Sequence, residues 1–280
     1  MLRVKTSGPD FYFKVSIDVP LFVNEAVVTE RLAGRFPAYI PAPVAIEPDR
    51  AWMLLPAFDD LVPDSSPIAT RRQVFARFGE LQRASAGSIE ALLRDGCLDR
   101  RLHVLEGQID PLINDQTTMS AMTEDQRLRL RALVPVLKEL TREMADLGLP
   151  YTLVHGDLHL ANTARIDGAI SFFDWTDASI SHPFFDLQSL KWETDEGEKQ
   201  SIIDAYLAGW HEVASHGTLH RAVLIAGALI PLHHAVSYQQ LLVHLEPAAR
   251  PELDATADYL RRVIAGADAL ESSPNRGGVR

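Results

Sequence analysis

Residues 151–176 read Tyr151-Thr152-Leu153-Val154-His155-Gly156-Asp157-Leu158-His159-Leu160-Ala161-Asn162-Thr163-Ala164-Arg165-Ile166-Asp167-Gly168-Ala169-Ile170-Ser171-Phe172-Phe173-Asp174-Trp175-Thr176. A short β-prone run, 151–154, leads into a loop that begins at His155. Two further runs flank Asp167-Gly168, a pair that tolerates the positive φ demanded at both positions of a two-residue hairpin turn. With that pair as the turn, Ile166 faces Ala169, and the ladder extends outward until Asn162 lies opposite Phe173 and Asp174 opposite Ala161. The Asn162 amide and the Asp174 carboxylate then sit side by side at the open end, with Asp157 in the loop just before. Register decides this, because a slip of one residue turns every side chain to the other face. Three oxygen-bearing side chains so placed suit Mg²⁺ and a hydroxyl held for phosphorylation.

The stretch resembles the motif of the aminoglycoside phosphotransferase and choline kinase group, which has a protein-kinase-like fold. That motif is His-Gly-Asp, four residues, Asn, then a strand ending in Asp. Protein kinases carry His-Arg-Asp and Asp-Phe-Gly where this chain has His155-Gly156-Asp157 and Asp174-Trp175-Thr176. The resemblance implies that Asp157 is the catalytic aspartate, orienting an acceptor hydroxyl and taking its proton. It implies Mg²⁺ at Asn162 and Asp174, and a bracing role for His155. Asp186, in His182-Pro183-Phe184-Phe185-Asp186-Leu187, falls where the group keeps an aspartate that supports the catalytic loop. Trp175 and Asp177 lie where an acceptor would pass, though nothing in their identity marks them as contacts.

A competing reading takes His155-x-Asp157-x-His159 as a zinc cluster of a hydrolase. It needs further ligands, and the other histidines from His211 to His244 fall in helical stretches without a matching loop. Cys97 is the single cysteine, so neither an internal disulfide nor a cysteine metal site can form.

The start of the chain gives a second anchor. Leu2-Arg3-Val4-Lys5 and Phe11-Tyr12-Phe13-Lys14-Val15 flank a turn-rich Ser7-Gly8-Pro9-Asp10. They resemble a hairpin of a kinase N-terminal lobe, which puts Lys14 in place of the lysine that holds the nucleotide phosphates; Lys5 fits less well. Residues 24–32 have helical character, and Glu25 is the expected partner of Lys14, with Glu30 the alternative. Residues 51–58 resemble the strand and hinge that cradle adenine, with backbone groups from Leu55 through Ala57 to Phe58 reading the base. The group's lobe also carries an earlier strand and a loop over the phosphates. Nothing precedes Met1, so the N-terminus is expected to be incomplete.

Composition agrees with an enzyme of the cytoplasm. The chain has 280 residues, 46% of them hydrophobic, and a formal charge of −11. An acidic chain without a basic stripe points away from nucleic acid. No signal pattern opens the sequence, and the most apolar stretch, 222–232, is short and reads as a buried helix and not a membrane span. Helices are expected over 70–86, from a Thr123/Gln126 capping box to Gly148, and over 197–215, 218–245 and 251–271. Glu193, Asp195, Glu196 and Glu198 read as a solvated acidic run.

The expected fold is α+β: a two-lobed, protein-kinase-like chain with a small, truncated β-rich N-lobe and a mainly helical C-lobe. Residues 1–60 form the partial nucleotide-binding lobe, 61–271 the catalytic and substrate-binding lobe, and 272–280 a disordered tail. The expected activity is ATP-dependent phosphorylation, with GTP as the other donor, of a hydroxyl on a small molecule such as an aminoglycoside or another amine or sugar alcohol. A catalytically weak or inactive kinase-like nucleotide-binding protein is the alternative.

Overall fold

The computed structural model describes residues 1–58, 60–246, 248, 250 and 254–272. Four short strands open the chain: β1 (Leu2–Val4), β2 (Phe11–Val15), β3 (Ala45–Glu47) and β4 (Trp52–Pro56). They form an antiparallel sheet in the order β1-β2-β4-β3, in which Lys14 faces Met53 and Tyr12 faces Leu55. Helix α1 (Glu25–Arg35) follows β2 and buries Ala26, Val28, Thr29, Leu32 and Ala33 together with Glu25. The three-residue β3 carries no alternation long enough to read from sequence, and it owes its place to pairing with β4.

Residues cluster into two compact units, the first made of 1–99 and 150–214, the second of 100–149 and 215 onward. In the first unit, α2 (Ile68–Ser85) and α3 (Ile89–Arg94) precede β5 (Leu98–Asp99). Strands β6 (Thr152–Val154), β7 (Thr163–Ile166), β8 (Ala169–Phe172) and β9 (Ser179–Ser181) come next. A 3₁₀ stretch over Pro183–Trp192 stands where the sequence suggested no regular element. The β7–β8 hairpin has the expected register, Ile166 to Ala169 through Thr163 to Phe172. Its turn residues take φ of 51° at Asp167 and 80° at Gly168. Antiparallel to β7 runs the segment after the first sheet: Val62 donates to the Thr163 carbonyl and Arg165 to the Asp60 carbonyl. β9 sits between β6 and β5, an arrangement set by long-range partners.

Phe78 of α2 is fully buried and meets Phe172, His155 and Trp175, so the helix forms the floor under the hairpin and loop. Above it, Ala26, Met53, Leu55, Phe58, Ala164 and Phe173 make one apolar cluster, with Tyr12 packed against it. The first unit also contains α7 (Glu196–Leu207), continued by a 3₁₀ stretch at Ala208–Glu212 in place of the longer helix expected to 215.

The second unit is helical: α4 (Leu102–Asn114), α5 (Gln116–Ser120), α6 (Glu124–Asp146), α8 (His216–Leu242) and α9 (Thr256–Ser272). The capping box at Thr123 and Gln126 is formed, and Leu130, Leu133, Leu137, Leu140 and Met144 are its buried stripe. Helices α8 and α9 approach closely, since a Cβ on Gly266 would fall 2.9 Å from the Gly227 carbonyl oxygen. Among the described residues α8 is the one helix long and apolar enough to cross a membrane, and 72% of its most apolar window is buried within the protein. Helix α9 begins later than expected, with 251–253 outside the described residues. Of the expected tail, Ser272 ends α9 and 273–280 likewise lie outside.

Candidate active site

The loop between β6 and β7 is built from behind. His155 is fully buried, and its Nε2 lies 2.9 Å from the Phe173 carbonyl while Nδ1 faces the Asp157 N–H at 3.4 Å. Burial lowers its pKa, so the ring is neutral, with Nε2 as donor. A ring engaged at both nitrogens has no lone pair left for zinc. Among the described residues no group of three or more His, Cys, Asp or Glu is placed to hold a metal.

Gly156 has φ of 83°, and a Cβ there would fall 2.6 Å from Asp177 Cβ. Only glycine passes that point without displacing the chain. Asp186 receives the loop: its Oδ2 accepts from the His155 N–H at 3.0 Å and its Oδ1 from the Gly156 N–H at 2.9 Å. Burial pushes its pKa up to about 7, against the pull of those donors.

Asp157 itself is half exposed, and its Oδ2 lies 3.5 Å from His159 Nε2. The Asp157 carboxylate in turn raises the His159 pKa. Asn162 is buried and uses Nδ2 to hold the Asp157 carbonyl at 3.0 Å, which turns its amide oxygen the other way. The Phe173 N–H binds the Asn162 carbonyl at 3.1 Å, continuing the hairpin ladder to the expected pair.

Asp174 takes a left-handed φ of 66°, uncommon for a side chain with a Cβ and a form of strain that gathers at functional sites. Its Oδ1 accepts from Lys14 Nζ at 2.7 Å and from Thr176 Oγ1 at 2.7 Å. Burial pushes the Asp174 pKa up, but Lys14 and Thr176 outweigh it and hold the carboxyl below its usual value. Lys14 Nζ also lies 2.6 Å from Glu25 Oε1, and Ser16 donates to Glu25 Oε2. Burial pulls the lysine pKa down, yet the two carboxylates raise it above the ordinary value. Glu25, and not Glu30, is therefore the side chain the structure brings to Lys14.

The donor set fits Mg²⁺. Asp174 Oδ2 takes no hydrogen bond from the described residues, its side chain is 38% exposed, and the Asn162 oxygen is turned away from its own contact. Two hard oxygens suffice for an ion that keeps several waters and takes phosphate oxygens for the rest.

At the expected hinge, Leu55 is buried and the Ala57 N–H donates to the Asp10 carbonyl at 3.0 Å. That donor is engaged just beyond the strand ends, so of the two Ala57 backbone groups it is the carbonyl that could meet a base. Beside Asp157 opens a cavity of about 570 Å³. Asp64, Arg71, His159, Ser189, Trp192 and Glu193 are among the side chains lining it. Arg71 binds Glu193 and, at 2.7 Å, Glu198, so part of the acidic run is a wall of the cavity and not only a solvated face. Asp195 instead caps α7. Trp175 is buried, its indole N–H bound to the Phe172 carbonyl, and does not line this space. Trp192, 60% exposed, was missed because nothing in its neighbours distinguishes it from a surface tryptophan.

Residues 23–222 match the model of the phosphotransferase enzyme family. No curated protein matches the chain. Among solved structures, the chain is similar to choline kinase LicA from Streptococcus pneumoniae, with 13% identity, 95% of this chain and 89% of that one covered, and a TM-score of 0.66. A choline/ethanolamine kinase family protein from Mesorhizobium loti is similar at 15% identity, with 98% and 88% covered and a TM-score of 0.65. The macrolide 2′-phosphotransferase MphH from Brachybacterium faecium gives 19% identity, 99% and 88% covered, and a TM-score of 0.61. At such identities the likeness is one of fold, the α+β, protein-kinase-like fold.

Proposed function

The chain belongs to the phosphotransferase enzyme family, and from that premise we propose that it transfers the terminal phosphoryl group of ATP to a hydroxyl of a small molecule. The observation that carries the proposal is the meeting of Lys14, Glu25 and Asp174 in one ion-paired cluster, while Asp157 faces a cavity of acceptor size. One structural neighbour binds AMP and another binds ADP with spectinomycin, which supports an adenine nucleotide as donor.

In this reading residues 1–60 serve the nucleotide, Lys14 steadies its phosphates, and backbone groups near Leu55 and Ala57 meet its base. Asp157 orients the acceptor hydroxyl and takes its proton as the oxygen attacks phosphorus and the bridging bond to the leaving ADP breaks. Asn162 and Asp174 would hold Mg²⁺, which neutralises phosphate charge when bound. His155 and Asp186 keep the loop in place. Catalysis is positioning and electrostatics, because the transition state is loose and asks little covalent help.

The cavity favours an acceptor carrying a positive charge. Asp64, Asp157 and Glu193 outnumber the cationic Arg71 and the titratable His159, and Arg71 is also paired with Glu198. Amine alcohols and amino sugars meet that description, in line with the choline, macrolide and spectinomycin named for the neighbours. The test begins with thermal unfolding in the presence of Mg²⁺ and ATP. A nucleotide at a hundred times its Kd adds about 2.7 kcal/mol of stability. A shift that needs both components, followed by ADP release with an amine alcohol or amino sugar, supports the proposal. No shift at millimolar nucleotide sinks it.

A further inference from the structure

The catalytic loop is held by a buried polar chain that starts on two helices. Gln82 of α2 has no exposed surface, and both of its amide hydrogens are used. Nε2 lies 2.9 Å from Asp186 Oδ2 and 2.9 Å from the Pro183 carbonyl. Its Oε1 accepts the hydroxyl of Tyr206, a buried residue of α7. Asp186 passes the constraint on, since its two oxygens take the amides of His155 and Gly156. Asp157 is the next residue.

We propose that Gln82 is a positioning residue for phosphoryl transfer, fixing the Asp186 carboxylate so that the two loop amides, and through them Asp157, keep the geometry of the reaction. The catalytic part of this statement rests on the function proposed above; the positioning part does not. An apolar side chain of similar volume would fill the same space. What it could not do is donate to a carboxylate that is buried with only neutral N–H partners. In such a place each donor counts for more than it would in water. The chain is also fully matched: one donor for Asp186, one for Pro183, one acceptor for Tyr206. Neither Gln82 nor Tyr206 is polar in a way that solvent exposure explains.

The substitution Gln82→Glu keeps the shape and changes only the hydrogen-bonding character. When protonated, the introduced carboxyl donates to Asp186; when ionised, it faces Asp186 as a like charge. The titratable and charged groups that act on this network are Asp186, Asp157, His155, Tyr206 and Arg83. Amide hydrogen exchange of peptides spanning 155–157 reads the effect without any substrate. Compared with the unsubstituted protein at the same pH, Gln82→Glu should be near parity at about pH 5.5. At about pH 9.5, above the range of a buried glutamic acid that shares its proton with a second carboxyl, it should exchange roughly tenfold faster, the scale of one hydrogen bond to a charged group. Peptides from α6 should not change. Gln82→Leu should show the fast exchange at both pH values. Protection of 155–157 equal to the unsubstituted protein in both variants overturns the proposal, whether or not the chain transfers phosphate.

The second arm measures turnover with MgATP and an acceptor from the screen. For Gln82→Glu the expected result is a kcat that falls with rising pH while the KM for ATP holds. A retained kcat with only a lower Tm would mean that Gln82 merely packs, and would overturn the proposal. If the unsubstituted protein phosphorylates nothing, the phosphotransferase reading fails, and the exchange result still decides the role of Gln82.

Discussion

Lys14 Nζ and Asp174 Oδ1 lie 2.7 Å apart although 160 residues separate them in the chain. The same ammonium reaches Glu25, whose side chain is fully buried. Removing the lysine therefore strands a buried carboxylate. Lys14→Met should cost about 3 kcal/mol in urea unfolding, and Lys14→Met combined with Glu25→Gln should cost less than the single change. A single variant as stable as the unsubstituted protein would show that the pair carries no net energy.

Asp174→Ala should abolish the Mg²⁺-dependent part of the nucleotide-induced melting shift. Thr176 and Lys14 keep their own positions on other partners, so the fold should persist. A full shift in this variant would remove Asp174 from the proposed ion site.

Asp157→Asn should reduce transfer by roughly 10²–10⁴, the range for a lost general base, while nucleotide affinity stays nearly unchanged. The side chain is half exposed and its approach to His159 is a long 3.5 Å, so little stability is at stake. Single-turnover kinetics separate the two quantities.

Gly156→Ala should be worse than its size suggests. The backbone there is left-handed and the added carbon would meet Asp177 at 2.6 Å. A loss of at least about 2 kcal/mol is expected, together with loss of turnover. Calorimetry and an activity assay on the soluble fraction check both.

The His159 pKa is raised by the Asp157 carboxylate that faces its Nε2. Its contribution to stability is thus complete below the ordinary histidine value of 6.5 and fades as pH rises through the folded-state value. Both groups are partly exposed, so the gain is about 0.5 kcal/mol or less. Urea midpoints at about pH 5.5 and pH 8.5 should show this decline, and His159→Gln should remove it. An identical pH dependence in the variant would mean that another group titrates.

Much of the candidate site's geometry can be read in the sequence because its parts are local. The Asp167-Gly168 turn sets the register that brings Asn162 and Asp174 to one end, since two-residue hairpins leave no freedom in pairing. The Thr123 capping box is likewise a four-residue event. Other features depend on distant partners. β9 is three residues long and exists because β5 and β6 flank it. The Ala57 amide is taken by Asp10, a contact that no pattern within 51–58 announces. Gln82 looks like any polar residue of an amphipathic helix until Asp186 and Tyr206 close around it. The acidic run after Trp192 divides into a cap, a cavity wall and a solvated edge only once Arg71 is placed.

The first compact unit is assembled from 1–99 and 150–214, with the segment between them belonging to the second. During synthesis the ammonium of Lys14 is made long before the carboxylate it will bind. At ribosomal rates of about 5–20 residues per second, the 160-residue gap is a delay of roughly 8–32 s. For that time β1 and β2 have no finished unit to join, and Tyr12 lacks Ala164 and Phe173 of the apolar cluster it packs against. The nascent chain is open to chaperones and to wrong partners until residue 214 has left the ribosome. Synonymous codons between positions 100 and 150, which alter no side chain, then become a means of changing how much folded protein a cell obtains.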